Sequence, residues 1–395
     1  MHRTLTGALL CLFAMQAAAQ IPLSFHDIQA QARPAPEQWR AEALLAERGL
    51  QLQETRGFLR EGATLALSAG PRRGPASPVT TDKGFEVDLQ LFLASRVRAD
   101  LESSLGKAHP LLMEAARREG AFRLRAAYLD AWLAERSLVV READLATVEQ
   151  WLQAARVRFD AGADPAFQVS LVEGERLKLQ QDLDEARGLA ARAWGTLAAL
   201  ADVPSAPVAL GDPGPVPPVA QENLLERLKE GPLRKALAAQ AELEERGVRL
   251  SEALASSRWS LRGSYAQEGE ENVTRIGLAI RLPRRGETTA LRHRTETQLQ
   301  TLQGESRMAE AELEARALGA AERLRKAPAD ADFPMDFSRA LAAVGLRLQE
   351  GRERPSEALP IRRQLLEAQM ASLRRTHARH LLAAELLSLL PEVNP

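Results

Sequence analysis

The sequence is poor in the residues that would cross-link it, charge it one way or thicken a core. Among 395 residues there is one cysteine, Cys11. A disulfide framework is excluded, and a chain with so few thiols suits an oxidising compartment without depending on one. Aromatic residues make up only 4%. With Ala, Leu, Arg, Glu and Gln abundant, that favours long helices with narrow packing seams over one thick globular core. Neither charge dominates: 52 Lys and Arg stand against 53 Asp and Glu, a formal net charge of -1. A nucleic-acid binder would show a basic excess. The chain carries no Gly-x-Ser-x-Gly, no phosphate loop and no Gly-x-Gly-x-x-Gly. His377 and His380 are spaced for a shared ligand, but Arg374, Arg375 and Arg379 surround them and no Cys or carboxylate completes a metal set. No enzymatic activity, metal or cofactor is expected.

The N-terminus has the pattern of a secretory signal. His2 and Arg3 precede the apolar run 8–15, and Ala17-Ala18-Ala19 supplies small-x-small spacing for cleavage after Ala19. The run is too short to span a bilayer, and no later stretch of 18 apolar residues exists, so a helical membrane span is not expected. An exported chain of this kind is either soluble or crosses an outer membrane as a barrel.

What the sequence does contain, it contains twice. Val87, Leu89, Leu91, Leu93 and Arg96 map by a shift of 189 onto Ile276, Leu278, Ile280, Leu282 and Arg285. The same shift carries Gly162 onto Gly351. Upstream, a shift of 198 carries Glu47-Arg48-Gly49-Leu50 onto Glu245-Arg246-Gly247-Val248. Repeats of this size signal a duplicated architecture. The expected organisation is a signal over 1–19, a first repeat over 20–203, a Pro/Gly-rich connector over 204–220 and a second repeat over 221–395. Each repeat reads helix, strand, turn, strand, long helix, tight turn, helix.

In the first repeat, residues 34–56 read as a helix interrupted by Gly57 and Gly62, and 63–68 as a strand. A proline-rich loop is expected over 70–83. From Phe85 to Leu93, apolar and polar residues alternate with the period of a sheet wetted on one side. Helical periodicity runs from 97 to 161, with a kink or restart expected at Pro110. The piece 111–161 alone would be about 76 Å long. Phe122, Ala126, Leu129, Leu133 and Val140 mark an expected seam. Gly162-Ala163-Asp164-Pro165 reverses the chain. In the second repeat, breaks are expected at Gly231 and Gly247. Trp259 to Tyr265 and Thr274 to Leu282 form strands joined by a polar turn over 268–272, and Pro328 and Pro334 break the long helix around 327–336.

Four strands cannot close a barrel, and an open sheet cannot sit in lipid with bare edges. Bacterial outer-membrane barrels have at least eight strands, in even number. Two chains would supply eight and three would supply twelve; strand count alone does not choose.

This order of elements resembles the TolC-like outer-membrane efflux channels over nearly the whole mature chain. Arg158-Phe159-Asp160-Ala161-Gly162 is similar to that family's Arg-aromatic-x-x-Gly turn, and the helix after it ends in Leu197-Ala198-Ala199-Leu200 before Pro204. Arg347-Leu348-Gln349-Glu350-Gly351 looks like the second copy, with Leu348 in place of the aromatic. The resemblance implies a mainly α fold with a small β part. Long antiparallel helical hairpins and four strands per chain would form a homotrimer with a 12-stranded β-barrel joined to an α-helical barrel. It implies a passive exit duct of a tripartite efflux or type I secretion system, in the outer membrane of a Gram-negative bacterium and extending into the periplasm. Partners would be a periplasmic adaptor (membrane fusion protein), an inner-membrane pump and outer-membrane lipid, with no nucleic acid. The adaptor-docking turns would carry Arg158, Phe159 and Gly162, and Arg347 and Gly351. Asp160, Asp164, Glu350 and Glu353 lie near those turns; threefold repetition would make each a ring that could select or gate cations. Val87, Leu89, Leu91, Ile276, Leu278 and Ile280 are the expected lipid-facing positions. A soluble periplasmic coiled-coil adaptor shares the signal and long helices but leaves two one-sided hairpins unexplained, and a periplasmic enzyme using the turn acids would need a catalytic set.

Overall fold

The computed structural model describes residues 22–55, 64–72, 80–90, 95–204, 207–219, 222–256, 259–268, 271–280, 286–327 and 337–391. The expected signal, the glycines at 57 and 62, Leu91, Leu93, Leu282 and the prolines at 328 and 334 lie outside them. In chain order the elements are α1 (Phe25–Ala30), α2 (Pro36–Glu54), β1 (Thr64–Arg72), β2 (Thr80–Gln90), α3 (Ser95–Asp160) and α4 (Ala166–Leu200). After the connector come α5 (Leu224–Lys229), α6 (Pro232–Ser256), β3 (Trp259–Glu268), β4 (Glu271–Ile280), α7 (Glu287–Lys326), α8 (Phe337–Gln349) and α9 (Pro355–Leu389). The chain forms two compact units, and each draws segments from both sequence halves.

One unit holds residues 36–117 and 225–315. Its helices α2, α6 and the first part of α3 bury Leu45, Leu101, Leu112, Leu243 and Leu250 against one another. Its four strands make one antiparallel sheet in the order β1-β2-β3-β4. The strands are longer than the sequence suggests: pairing runs through Pro71, opposite Thr81, so much of the expected loop 70–83 is strand. Pro71 stands next to the end of an outer strand, a position in which proline occurs within sheets. The β3–β4 turn is likewise tighter than expected, since Glu268 still pairs with Glu271. Gly247 does not break α6. It sits mid-helix with the Arg48 guanidinium of α2 packed about 3.1 Å from where a Cβ would stand, so its missing side chain admits a neighbour.

The other unit holds residues 22–35, 118–224 and 316–391 within the described range. Pro110 does not restart the long helix: α3 runs 66 residues without a break, beyond the mean globular helix of about 11–12. Around Pro110, buried Ala108 and Leu112 pack against helical neighbours, which holds the helix where one backbone hydrogen bond is lost. The buried stripe of α3 is also offset from the expected one. Of the expected seam Leu129 is fully buried, while Phe122, Ala126, Leu133 and Val140 are only half-buried; Leu124, Tyr128, Ala131 and Trp132 are buried beside it. Aromatic residues can take this face because the connector receives their polar atoms. Tyr128 donates to the Gly211 carbonyl at 2.6 Å, Trp132 Nε1 to Asp212 at 3.1 Å, and the Glu135 carboxylate accepts from the Leu210 amide at 2.9 Å. The Pro/Gly-rich segment is thus a strap tied to α3. On α4, Val172, Leu179, Leu183, Ala186 and Leu197 are buried as their spacing predicts.

Candidate functional site

The chain reverses twice by the same local device. At the end of α3, Gly162 has φ 68°; at the end of α8, Gly351 has φ 76°. Only glycine enters that left-handed region without a Cβ penalty. The Ala163 amide donates to the Arg158 carbonyl at 2.8 Å and the Gly162 amide to Phe159 at 2.9 Å. Their counterparts run from Arg352 to Arg347 at 2.9 Å and from Gly351 to Leu348 at 3.1 Å. Both are Schellman turns, which satisfy carbonyls that a helix end leaves open. Each is closed by an ion pair six residues apart: Arg158 to Asp164 at 2.6 Å and Arg347 to Glu353 at 3.2 Å.

The two turns also meet. The Arg158 guanidinium lies over Gly351, 2.5 Å from the position a Cβ would occupy. Gln168 of α4 accepts from the Ser356 amide at 3.0 Å and donates to its hydroxyl at 3.1 Å, joining the first turns of α4 and α9. Leu348 is 1% exposed and packs with Trp151, Val344 and Leu359, whereas its counterpart Phe159 is 44% exposed. The leucine at the second turn is thus a core residue, where the phenylalanine at the first turn stays on the surface. Of the four acids near the turns, Asp160 and Glu350 are exposed, Glu353 is half-buried and Asp164 is buried against Arg158.

Deeper along the same helices lies an ionic cluster that spacing alone gave no means of finding. Arg362 of α9 is fully buried and bridges Asp144 of α3 and Glu175 of α4; Arg363 also pairs with Glu175. Burial pushes the Asp144 carboxyl up, against the hydrogen bond and charge of Arg362. Burial pushes Glu175 the same way, but the hydrogen bond from Arg363 and the charges of Arg362, Arg363 and Lys178 together bring it down. His377 pairs with Asp130 at 2.8 Å and His380 is buried. Among the described residues no group of His, Cys, Asp and Glu could hold a metal ion, and no helix is long and apolar enough to cross a membrane.

The sheet has two unlike faces. Cross-strand rows on one face read Leu67–Phe85–Tyr265–Thr274, then Leu65–Val87–Gly263–Ile276, then Leu89–Leu261–Leu278. Phe85 and Tyr265 stack with centroids 5.6 Å apart. Leu67 and Ile276 are each 79% exposed, Leu278 and Ile280 are exposed, and Val87 and Leu89 are half-exposed. The opposite face carries Glu86, Asp88, Arg262, Ser264 and Arg275. On it Arg262 binds Glu86 at 2.9 Å and Asp88 at 3.1 Å. The strands are 9, 11, 10 and 10 residues long, and a tilted bilayer-spanning strand needs about 9–11. Among the described residues, β1 and β4 are the outer strands and neither pairs further.

No protein-family model matches the sequence, and no curated protein matches it. Solved structures do. The outer membrane protein VceC of Vibrio cholerae is similar with a TM-score of 0.64 and 17% identity, over 90% of this chain and 93% of that one. The outer membrane channel CmeC of Campylobacter jejuni gives 0.65 and 12%, over 89% and 82%. The open-state outer membrane channel MtrE of Neisseria gonorrhoeae gives 0.58 and 20%, over 90% and 85%. At such identities the likeness is one of fold, and it agrees with the resemblance carried by the two turns: this chain has the fold of the outer-membrane channels of the TolC-like kind.

Proposed function

We propose that this protein is the outer-membrane exit duct of a tripartite efflux or type I secretion system. Three copies pool their sheets into a 12-stranded barrel in the outer membrane of a Gram-negative bacterium, and their duplicated helical hairpins line a passage through the periplasm. The observation that carries this reading is the sheet: four strands of membrane-spanning length, one exposed apolar face, one charged face and, among the described residues, two unpaired edges. An exposed apolar face of this extent needs lipid or protein against it. Bare edges in lipid need partners, and further copies of the same sheet supply them. The antiparallel order supports closure, because an even number of alternating strands per copy lets β4 of one copy meet β1 of the next antiparallel. In this reading the protein does no bond chemistry. An inner-membrane pump supplies the energy, and a periplasmic adaptor docks at the turns around Gly162 and Gly351. The exposed Asp160 and Glu350 are the acids placed to form charge rings there.

Fractionation followed by imaging tests the proposal. The protein is expected to stay with outer membranes through salt washing, to need detergent for release, and to give threefold particles with a hollow stem. Recovery as a soluble monomer would end it. Cysteines placed near the two turns and cross-linked between neighbouring copies should block export. Undiminished export by fully cross-linked protein would remove the turns from the gate.

A further inference from the structure

The charged face of the sheet carries more than solubility. In a barrel whose apolar face meets lipid, the other face lines the lumen. This inference rests on the proposed barrel and goes beyond it to what the lumen does to an ion passing through.

We infer that Arg262 sets the charge selectivity of the barrel lumen by neutralising Glu86 and Asp88. Arg262 on β3 stands directly across from Asp88 on β2 and diagonal to Glu86, the two closest cross-strand relations on one face. Its guanidinium holds one carboxylate through Nε at 2.9 Å and the other through a terminal nitrogen at 3.1 Å. All three side chains keep contact with solvent: Arg262 is 52% exposed, Glu86 43% and Asp88 26%. They are therefore within reach of ions in the passage. A solvent-exposed pair of this kind contributes little to stability, so its removal alters the field more than the fold. Among the described side chains on this face the charged ones are Glu86, Asp88, Arg262 and Arg275, two of each sign. Removing Arg262 leaves two adjacent carboxylates without their shared cation and makes this face more negative by one charge in every copy. Low-dielectric walls concentrate such a field, and oppositely charged ions accumulate in it.

The test is the reversal potential of the full-length protein in planar bilayers under a KCl gradient. At salt on the order of 0.01 M the Debye length is about 30 Å, and at 1 M about 3 Å. In dilute salt Arg262→Ala should raise the potassium-to-chloride permeability ratio at least about threefold over the unmodified protein, which takes a change of only about half a kT in wall potential because the cation is enriched and the anion depleted by the same factor. In 1 M salt the two should coincide, with equal conductance as proof of an intact barrel. The double variant E86Q/D88N should move the ratio toward chloride. Should Arg262→Ala prove too poorly folded to reconstitute, Arg262→Gln serves with the same expectation. An unchanged ratio in variants of normal high-salt conductance would overturn the role of Arg262 while leaving the duct standing. No ion conductance by the membrane-extracted unmodified protein would instead strike at the proposed function.

Discussion

Replacing Glu175 by Gln should destabilise the helical unit far more than replacing Asp144 by Asn, although both carboxylates bind the same buried arginine. Glu175 pairs with Arg362 and Arg363 and sits below the usual carboxylate range; Asp144 pairs only with Arg362 and sits above it. The charge of Glu175 is favoured by its surroundings, whereas that of Asp144 is resisted by burial. Breaking a buried pair by neutralising one partner costs about 3–5 kcal/mol, and Glu175→Gln should fall in that range. Asp144→Asn trades a costly buried charge for an amide that still reaches Arg362, so its net effect should stay near about 1 kcal/mol. The pH dependence separates them further. With its folded pKa lowered, Glu175 contributes stability that is present above its ordinary value of 4.5 and is lost as pH falls through the folded value. The gap between Glu175→Gln and the unmodified protein should thus narrow below pH 4.5. Asp144, raised, works the other way: acidification favours its folded form. Thermal scans of detergent-solubilised protein, followed by far-ultraviolet circular dichroism at one scan rate, give the ranking. Equal or reversed losses, or a Glu175→Gln gap that widens in acid, would refute the reasoning.

Further substitutions probe the turns and the sheet. Gly162→Ala and Gly351→Ala both force a side chain into the left-handed region at about 1–2 kcal/mol, but only the second collides with Arg158. Gly351→Ala should therefore cost more in the same melting assay; measured against Arg158→Ala alone, which loses the pair with Asp164, the added cost of Gly351→Ala should fall to that of Gly162→Ala. On the apolar face, Ile276→Arg should reduce heat-resistant, membrane-assembled protein by the equivalent of about 2–4 kcal/mol. A polar substitution at the adjacent Ser264, on the other face, should leave assembly unchanged; the comparison is made on gels of unheated membrane extracts.

Much of the fold was legible because its signals are local. Gly162 and Gly351 announce reversal through backbone conformation alone, and the alternation from Phe85 to Leu89 and from Ile276 to Ile280 announces a one-sided sheet. The long helix α7 ends at Lys326, while the expected break at Pro328 and Pro334 falls outside the described residues. What escaped depends on distance in the chain. Arg362 meets Asp144 and Glu175 across 218 and 187 residues, and Gln168 meets Ser356 across 188. A charged residue on a helix reads as solvated until its neighbours are known. The misplaced details have the same origin. Gly247 reads as a break but serves as a gap for Arg48, and Pro71 reads as loop but occupies an outer strand. Tyr128 and Trp132 are buried through acceptors on a connector about 80 residues away, where helical periodicity favoured the neighbouring stripe.

The central claim is that the free edges of the sheet are closed by copies of itself. Within one chain β1 and β4 are separated by two strands, roughly 14 Å at about 4.8 Å per strand spacing. A disulfide needs Cα atoms within about 7 Å, so a bond between these edges must join two chains. Single pairs drawn from Leu65, Leu67 and Ala69 on β1 and Thr274, Ile276 and Leu278 on β4 can be replaced by cysteine and oxidised in membranes. The account predicts that at least one pair yields covalent dimers and trimers and nothing larger. Monomer alone from every pair, or a ladder that runs past three, would contradict it.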